Sequence, residues 1–220
     1  MPFTAKAQDK VEASVGADFV SNYIWRGTDC GGVSIQPSMG VSYKGLSLTA
    51  WGSVGIDKED AREIDLTLGY NTGGFSVSVT DYWFSYHKED GGYTGDYFKY
   101  GAHSTVHIFE ATLGYDFGPL ALSWNTYFAG DDYTKENGDR AYSTYVGISA
   151  PFKLGGLDWS VEVGLTPWEG AYANKFNVTN LTLKAEKEIK FTNSFSLPTF
   201  AQVTFNPHTQ GAYFVFGVSF

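Results

Sequence analysis

Apolar side chains fall on every second position of this chain, in short segments that start afresh about a dozen times. In the last nine residues, Ala212, Phe214, Phe216, Val218 and Phe220 share one face, and the sequence stops on the aromatic. Val11, Ala13, Val15, Ala17 and Phe19 make an equivalent row near the start; Leu46, Leu48 and Ala50, then Ile64, Leu66, Leu68 and Tyr70, continue it. The second half repeats the pattern with Phe109, Ala111, Leu113 and Tyr115, and with Leu157, Trp159, Val161, Val163 and Leu165. A period of two belongs to an extended strand, whose side chains alternate between its faces. No uninterrupted apolar run approaches the roughly 18 residues that a spanning helix needs.

Two kinds of connection separate the rows, and they alternate. Lys44-Gly45, Asn71 to Gly74, Gly118-Pro119 and Lys153 to Gly156 are tight, mostly Gly-containing turns of the kind antiparallel hairpins use. Between them lie longer polar stretches near residues 26–33, 57–63, 86–104, 129–140, 166–179 and 206–211. The expected fold is therefore all-β, an antiparallel up-and-down β-barrel of about 12 strands, the even number that single-chain outer-membrane barrels have. A chain of 220 residues suits one domain, here 8–220. Residues 1–7 contain Ala5-Lys6-Ala7, the small-x-small pattern that signal peptidase cuts, and are expected to be the remnant of a signal peptide.

Alternation alone does not say which face is wet, but the chemistry of the two rows does. The apolar rows carry hardly a charge, and the opposite rows read Ser47, Thr49, Ser53; Ser76, Ser78, Thr80; Ser123, Asn125, Tyr127. A soluble exterior normally carries many Lys and Glu. Aromatics gather at strand ends, among them Tyr43, Tyr70, Trp83, Phe117, Phe152 and Phe195, where interfacial girdles belong. These features predict a transmembrane barrel in a bacterial outer membrane, in contact with lipid and lipopolysaccharide, with long loops outside and both termini in the periplasm. Asp81 and Lys187 break the apolar rows, but both lie near strand ends, off the costly midplane. Pro37 and Pro198 lack a ladder donor, so bulges or early strand ends are expected there. A net charge of −9 argues against nucleic acid as a partner. The single cysteine, Cys30, forms no internal disulfide.

The inward rows hold Glu12, Asp18, Arg26, Asp65, Glu110, Glu162, Lys184 and Glu186, six acidic and two basic. An acidic lumen favours cations. Glu162 and Lys184 reach similar heights on neighbouring strands and are expected to pair. Trp51, Tyr82, Tyr127, Tyr145 and Tyr213 also point inward and would constrict the lumen. The first functional reading is a narrow passive pore for small solutes. The alternative is a closed lumen in a structural or interaction barrel, with the loop 86–104 folded inward or docked on a partner. A third reading, an outer-wall hydrolase using His103, Ser104 and His107, has no triad spacing behind it. No enzyme activity, cofactor or metal is therefore expected.

Ser21-Asn-Tyr-Ile-Trp-Arg-Gly27, Gln36-Pro37, Gly45-Leu-Ser-Leu-Thr-Ala-Trp51, Glu63-Ile-Asp65 and Asp81-Tyr-Trp-Phe-Ser-Tyr86 together give the first 90 or so residues a family likeness. The chain resembles the TorF-like porins. The resemblance implies an outer-membrane barrel without an assigned substrate. It also implies that Arg26, Glu63 at the mouth, and Asp65 matter together, either as an ion pair bracing the lumen or as a place for a solute.

Overall fold

The computed structural model describes residues 10–58, 60–86, 88, 94–192 and 195–220. The expected signal remnant, 1–7, and the start of the domain at Gln8 lie outside the described residues. β1 (Glu12–Val20) leads into a small hairpin, β2 (Tyr23–Trp25) and β3 (Thr28–Gly31). Then come β4 (Ser34–Tyr43), β5 (Leu46–Gly55), β6 (Arg62–Thr72), β7 (Phe75–Ser85), β8 (Ile108–Asp116) and β9 (Ala121–Gly130). The remaining strands are β10 (Thr144–Leu154), β11 (Leu157–Thr166), β12 (Asn177–Lys190), β13 (Ser196–Asn206) and β14 (Gly211–Ser219).

All but β2 and β3 close into a barrel of twelve antiparallel strands, as the alternation predicts. Each pairs with its neighbours in the chain, and β1 meets both β4 and β14. The seam between β1 and β14 is short: Asp18, Phe19 and Val20 face Ser219, Val218 and Gly217, and Ala17 and Phe220 exchange backbone bonds of 3.3 and 2.9 Å. Closure removes the open edges that an isolated sheet of this size would expose.

The side-chain distribution is inside out. Leu48 on the outer wall is 52% exposed and Phe214 is 68% exposed, whereas Glu110 and Thr204 in the lumen are 1% and 0% exposed. A water-soluble fold does the reverse, because burying polar groups and exposing apolar ones both cost free energy. Hydroxyl pairs across strands satisfy part of the polar interior: Thr67 with Thr80 at 2.9 Å, and Thr182 with Thr204 at 2.8 Å.

Toward the short-turn end the wall is lined by small residues. Gly69 lies between Ser47 and Ser78, and Gly114 between Ser76 and Ser123, with Gly147 beyond. Twelve strands enclose more room than the eight whose inward side chains just fill a barrel, and these short side chains take up little of it on their side of the wall.

Pro37 departs from the expectation of a bulge or early strand end, whereas Pro198 meets it on one side. Pro37 stays in register opposite Ala17, and the ladder to β5 lapses at Gln36 and Pro37 but resumes at Ser38 opposite Trp51 without a shift. Pro198 sits opposite Glu188, one residue before the ladder to β14 begins at Thr199, where no donor is needed. Among the described residues, the register shifts of the barrel occur instead at Phe109/Glu110 and Gly164/Leu165, and the hairpin has one at Tyr23/Ile24.

Candidate functional site

The segment expected to be an outer loop near 26–33 is a hairpin turned into the lumen. Its tip, Trp25-Arg26-Gly27-Thr28, has φ of 50° at Arg26 and 79° at Gly27. Two central residues with positive φ make the turn whose twist suits a tight hairpin, and Gly at the second place removes half the strain. Space demands Gly27 as well, since a Cβ there would lie 2.0 Å from the Thr179 carbonyl oxygen. The Asn206 side-chain amide donates to the Gly27 carbonyl at 3.0 Å, anchoring the tip to β13.

Arg26 is the centre of the assembly. Its guanidinium donates to both oxygens of Glu110 on β8, at 2.5 and 2.9 Å, and to the Tyr172 hydroxyl at 2.5 Å. Tyr82 donates to Glu110 at 2.9 Å. The guanidinium carbon lies 4.2 Å from the Trp25 ring centroid and 4.8 Å from that of Tyr145. A bidentate, aromatic-stacked pair of this kind is what guanidinium geometry favours. Arg26 is thus brought to Glu110, not to Asp65 as expected from the resemblance. Entering from the rim, it reaches past Asp65, which faces Tyr82, down to Glu110, which faces Thr80. Glu63 and Asp65 remain neighbours on β6, hydrogen-bonded to one another, and Asp65 Oδ1 is buried without a partner.

The hairpin divides the lumen. On its short-turn side a cavity of about 340 Å³ runs beneath Trp25 and Arg26, lined by Asn125, Tyr145, Glu162 and Asn180 among others. There the Tyr145 hydroxyl donates to Glu162 at 2.5 Å and Asn180 donates to it at 3.0 Å. The predicted Glu162–Lys184 pair is not formed: the ladder sets Glu162 opposite Thr182 and Lys184 opposite Ser160, and Lys184 bonds Glu186 on its own strand at 2.7 Å. Asp18, half-buried, lies opposite Gln36 and Ser219, away from the hairpin tip. On the long-loop side a second cavity of about 310 Å³ contains Glu63, Asp29 and Cys30. Burial, and then the nearby Glu63 carboxylate, push the Cys30 thiol up to about 12.

Aromatic rings fill the layer between the cavities. Trp25 contacts Tyr82 and Tyr172, with centroids 5.6 and 6.3 Å apart, and Tyr172 contacts Tyr127 and Tyr145 at 5.9 and 5.7 Å. Inward Tyr82, Tyr127 and Tyr145 were legible from alternation. Tyr172 was not, since it sits in the connection between β11 and β12, outside any periodic row.

The long connection before β8 takes the other side of the wall. His107 is fully buried, with Nδ1 2.6 Å from Asp81 Oδ1 and Nε2 2.7 Å from the Tyr97 carbonyl oxygen. Asp81 alternates with inward Tyr82, so this pair lies on the outer face, under Tyr97 and Tyr100. The described part of the loop 86–104 is therefore laid on the outside, and the segment folded inward is 21–33. The Ser104 hydroxyl is directed to the Gly101 carbonyl at 3.2 Å, and both His107 nitrogens are engaged by Asp81 and Tyr97, an arrangement that clamps the loop. No protein-family model matches the chain, and no curated protein matches it.

Proposed function

We propose that this chain is a bacterial outer-membrane barrel that provides a narrow, gated path for small solutes, with the β2–β3 hairpin as the gate. The observation that carries the reading is the pair of cavities inside an apolar-walled barrel, one polar and one walled by rings and two carboxyl groups, separated by one hairpin and the rings around it. An apolar outer wall over a polar interior is what a lipid-embedded barrel requires. The likeness of the first 90 or so residues to the TorF-like porins accords with it. A gate must be held by a contact that can be exchanged, and the Arg26–Glu110 bridge at the tip, with its partners Tyr172 and Tyr82, is such a contact.

Planar-bilayer recording tests the proposal. The folded protein should conduct in small, infrequent steps with reversal potentials favouring cations, and Glu110→Gln should lengthen the openings. Absence of stepwise conductance from both proteins would overturn the transport reading. It would leave the closed barrel, for which the ring-packed hairpin is the supporting observation.

A further inference from the structure

The outer cavity has a composition that the gate does not use. Six of the residues around it are aromatic: Tyr23, Trp25, Phe84, Tyr86, Tyr127 and Tyr172. Two more, Asp29 and Glu63, are carboxylic acids, and no lysine or arginine lines it among the described residues. The basic group closest in role, Arg26, is committed to Glu110 on the far side of Trp25. Among the described residues, no salt bridge joins Glu63, Asp65 or Asp29 to a lysine or arginine. Glu63 is 5% exposed and is bonded by the Tyr23 hydroxyl and by Asp65, itself 9% exposed with a buried Oδ1 left unpartnered. A carboxyl that bonds a carboxylate must carry the shared proton, so Glu63 and Asp65 together bring one negative charge, which Glu63 presents to an aromatic-walled chamber where no lysine or arginine among the described residues pairs with it.

We infer that the outer cavity binds a small organic cation, an alkylammonium or quaternary ammonium group, by its aromatic faces and the Glu63 and Asp29 carboxylates. The rings present the negative faces of their quadrupoles to a cation, and such cages favour a weakly hydrated organic ammonium over a strongly hydrated metal ion. The carboxylates supply the full charge that rings alone lack. A volume of about 310 Å³ admits a small molecule and not a peptide or a polymer. This deepens the proposed solute path by naming what enters it, and binding at the mouth can be measured without any current flowing.

The test is calorimetric titration of the full-length protein, folded in detergent, with choline and with 3,3-dimethylbutan-1-ol, the uncharged analogue of the same shape. Choline should bind in competition with tetramethylammonium but not with sodium, and the neutral analogue should not bind. Glu63→Gln and, separately, Asp29→Asn should each weaken choline by about tenfold or more, and Tyr86→Leu should weaken it without altering the fold. Asp29 and Tyr86 stand clear of the barrel ladders, so one variant remains informative if Glu63→Gln folds poorly. Equal binding of choline and the neutral analogue, no binding of choline, or binding indifferent to both carboxylate substitutions would overturn the inference. A channel that conducts but does not bind choline would sink this inference and spare the gated path; binding without conductance would do the opposite.

Discussion

Arg26→Ala should free the hairpin while leaving the barrel closed. The side chains of Arg26 and Glu110 are 10% and 2% exposed, so solvent screens little of their interaction. Removing the cation leaves Glu110, among the described residues, with the Tyr82 hydroxyl at 2.9 Å and the Thr112 hydroxyl at 3.4 Å. Stranding one member of a buried pair costs about 3–5 kcal/mol. Loss of the contacts to the Trp25 and Tyr145 rings adds about 0.5–2 kcal/mol. The barrel ladders do not depend on this bridge, so the penalty falls on hairpin docking and shifts its equilibrium by about a hundredfold or more. Hydrogen exchange at the β2–β3 amides reads that opening directly. Arg26→Met combined with Glu110→Gln should recover much of the protection, because an uncharged pair leaves no orphan. Protection in Arg26→Ala within about threefold of the parent, or strict additivity between the two sites, would refute the reasoning, since residues in direct contact must couple.

Gly27→Ala should undock the same hairpin, through a Cβ 2.0 Å from the Thr179 oxygen at φ 79°; Gly118→Ala, at φ 91° with nothing within 4 Å, should cost only about 1–3 kcal/mol of backbone strain, and thermal melts with hydrogen exchange separate the two. Maleimide labelling of Cys30 should be slow at neutral pH, because a thiol pushed up to about 12 holds almost no thiolate there, and should accelerate as pH rises toward that value. The same labelling should quicken at constant pH in Arg26→Ala, and an unchanged rate would separate the hairpin from the thiol's burial. His107→Ala should release the clamped loop, the bond to the Asp81 carboxylate being worth about 1.5–3 kcal/mol and the bond to the Tyr97 carbonyl about 0.5–1.5 kcal/mol. Trypsin should then cut at Lys99 faster by about tenfold or more, with the barrel's resistance to heat in detergent intact.

The barrel was readable because its signal is local. Each strand repeats its own two-residue period, and turns such as Lys44-Gly45 mark where the chain must reverse, so neither needs knowledge of distant residues. The inward hairpin was not readable for the opposite reason. Tyr23-Ile-Trp25 is too short to show a period, and it pairs only with Thr28–Gly31. Its decisive partner, Glu110, is 84 residues away. The Arg26-Gly27 turn was present as a signal, since a residue followed by Gly at a tight reversal favours paired positive φ, but the direction of the hairpin was not. Heights were the weakest inference. Glu162 and Lys184 lie on strands joined by a long loop, so counting each from its own short turn ignores the stagger between strands, and that offset moves Lys184 opposite Ser160.

The row of glycines and serines near the short turns has an electrical consequence for the proposed channel. A wide, wetted half and a half filled by rings form two resistors in series, and nearly all of an applied potential drops across the narrower one. The hairpin layer would then sit in a field several times steeper than the average over the bilayer, and Arg26 is a charge within that layer. Moving one elementary charge through the whole of 100 mV is worth about 2.3 kcal/mol, comparable to the bridge that holds it. In the proposed channel those small side chains would thereby make voltage a lever on the hairpin tip.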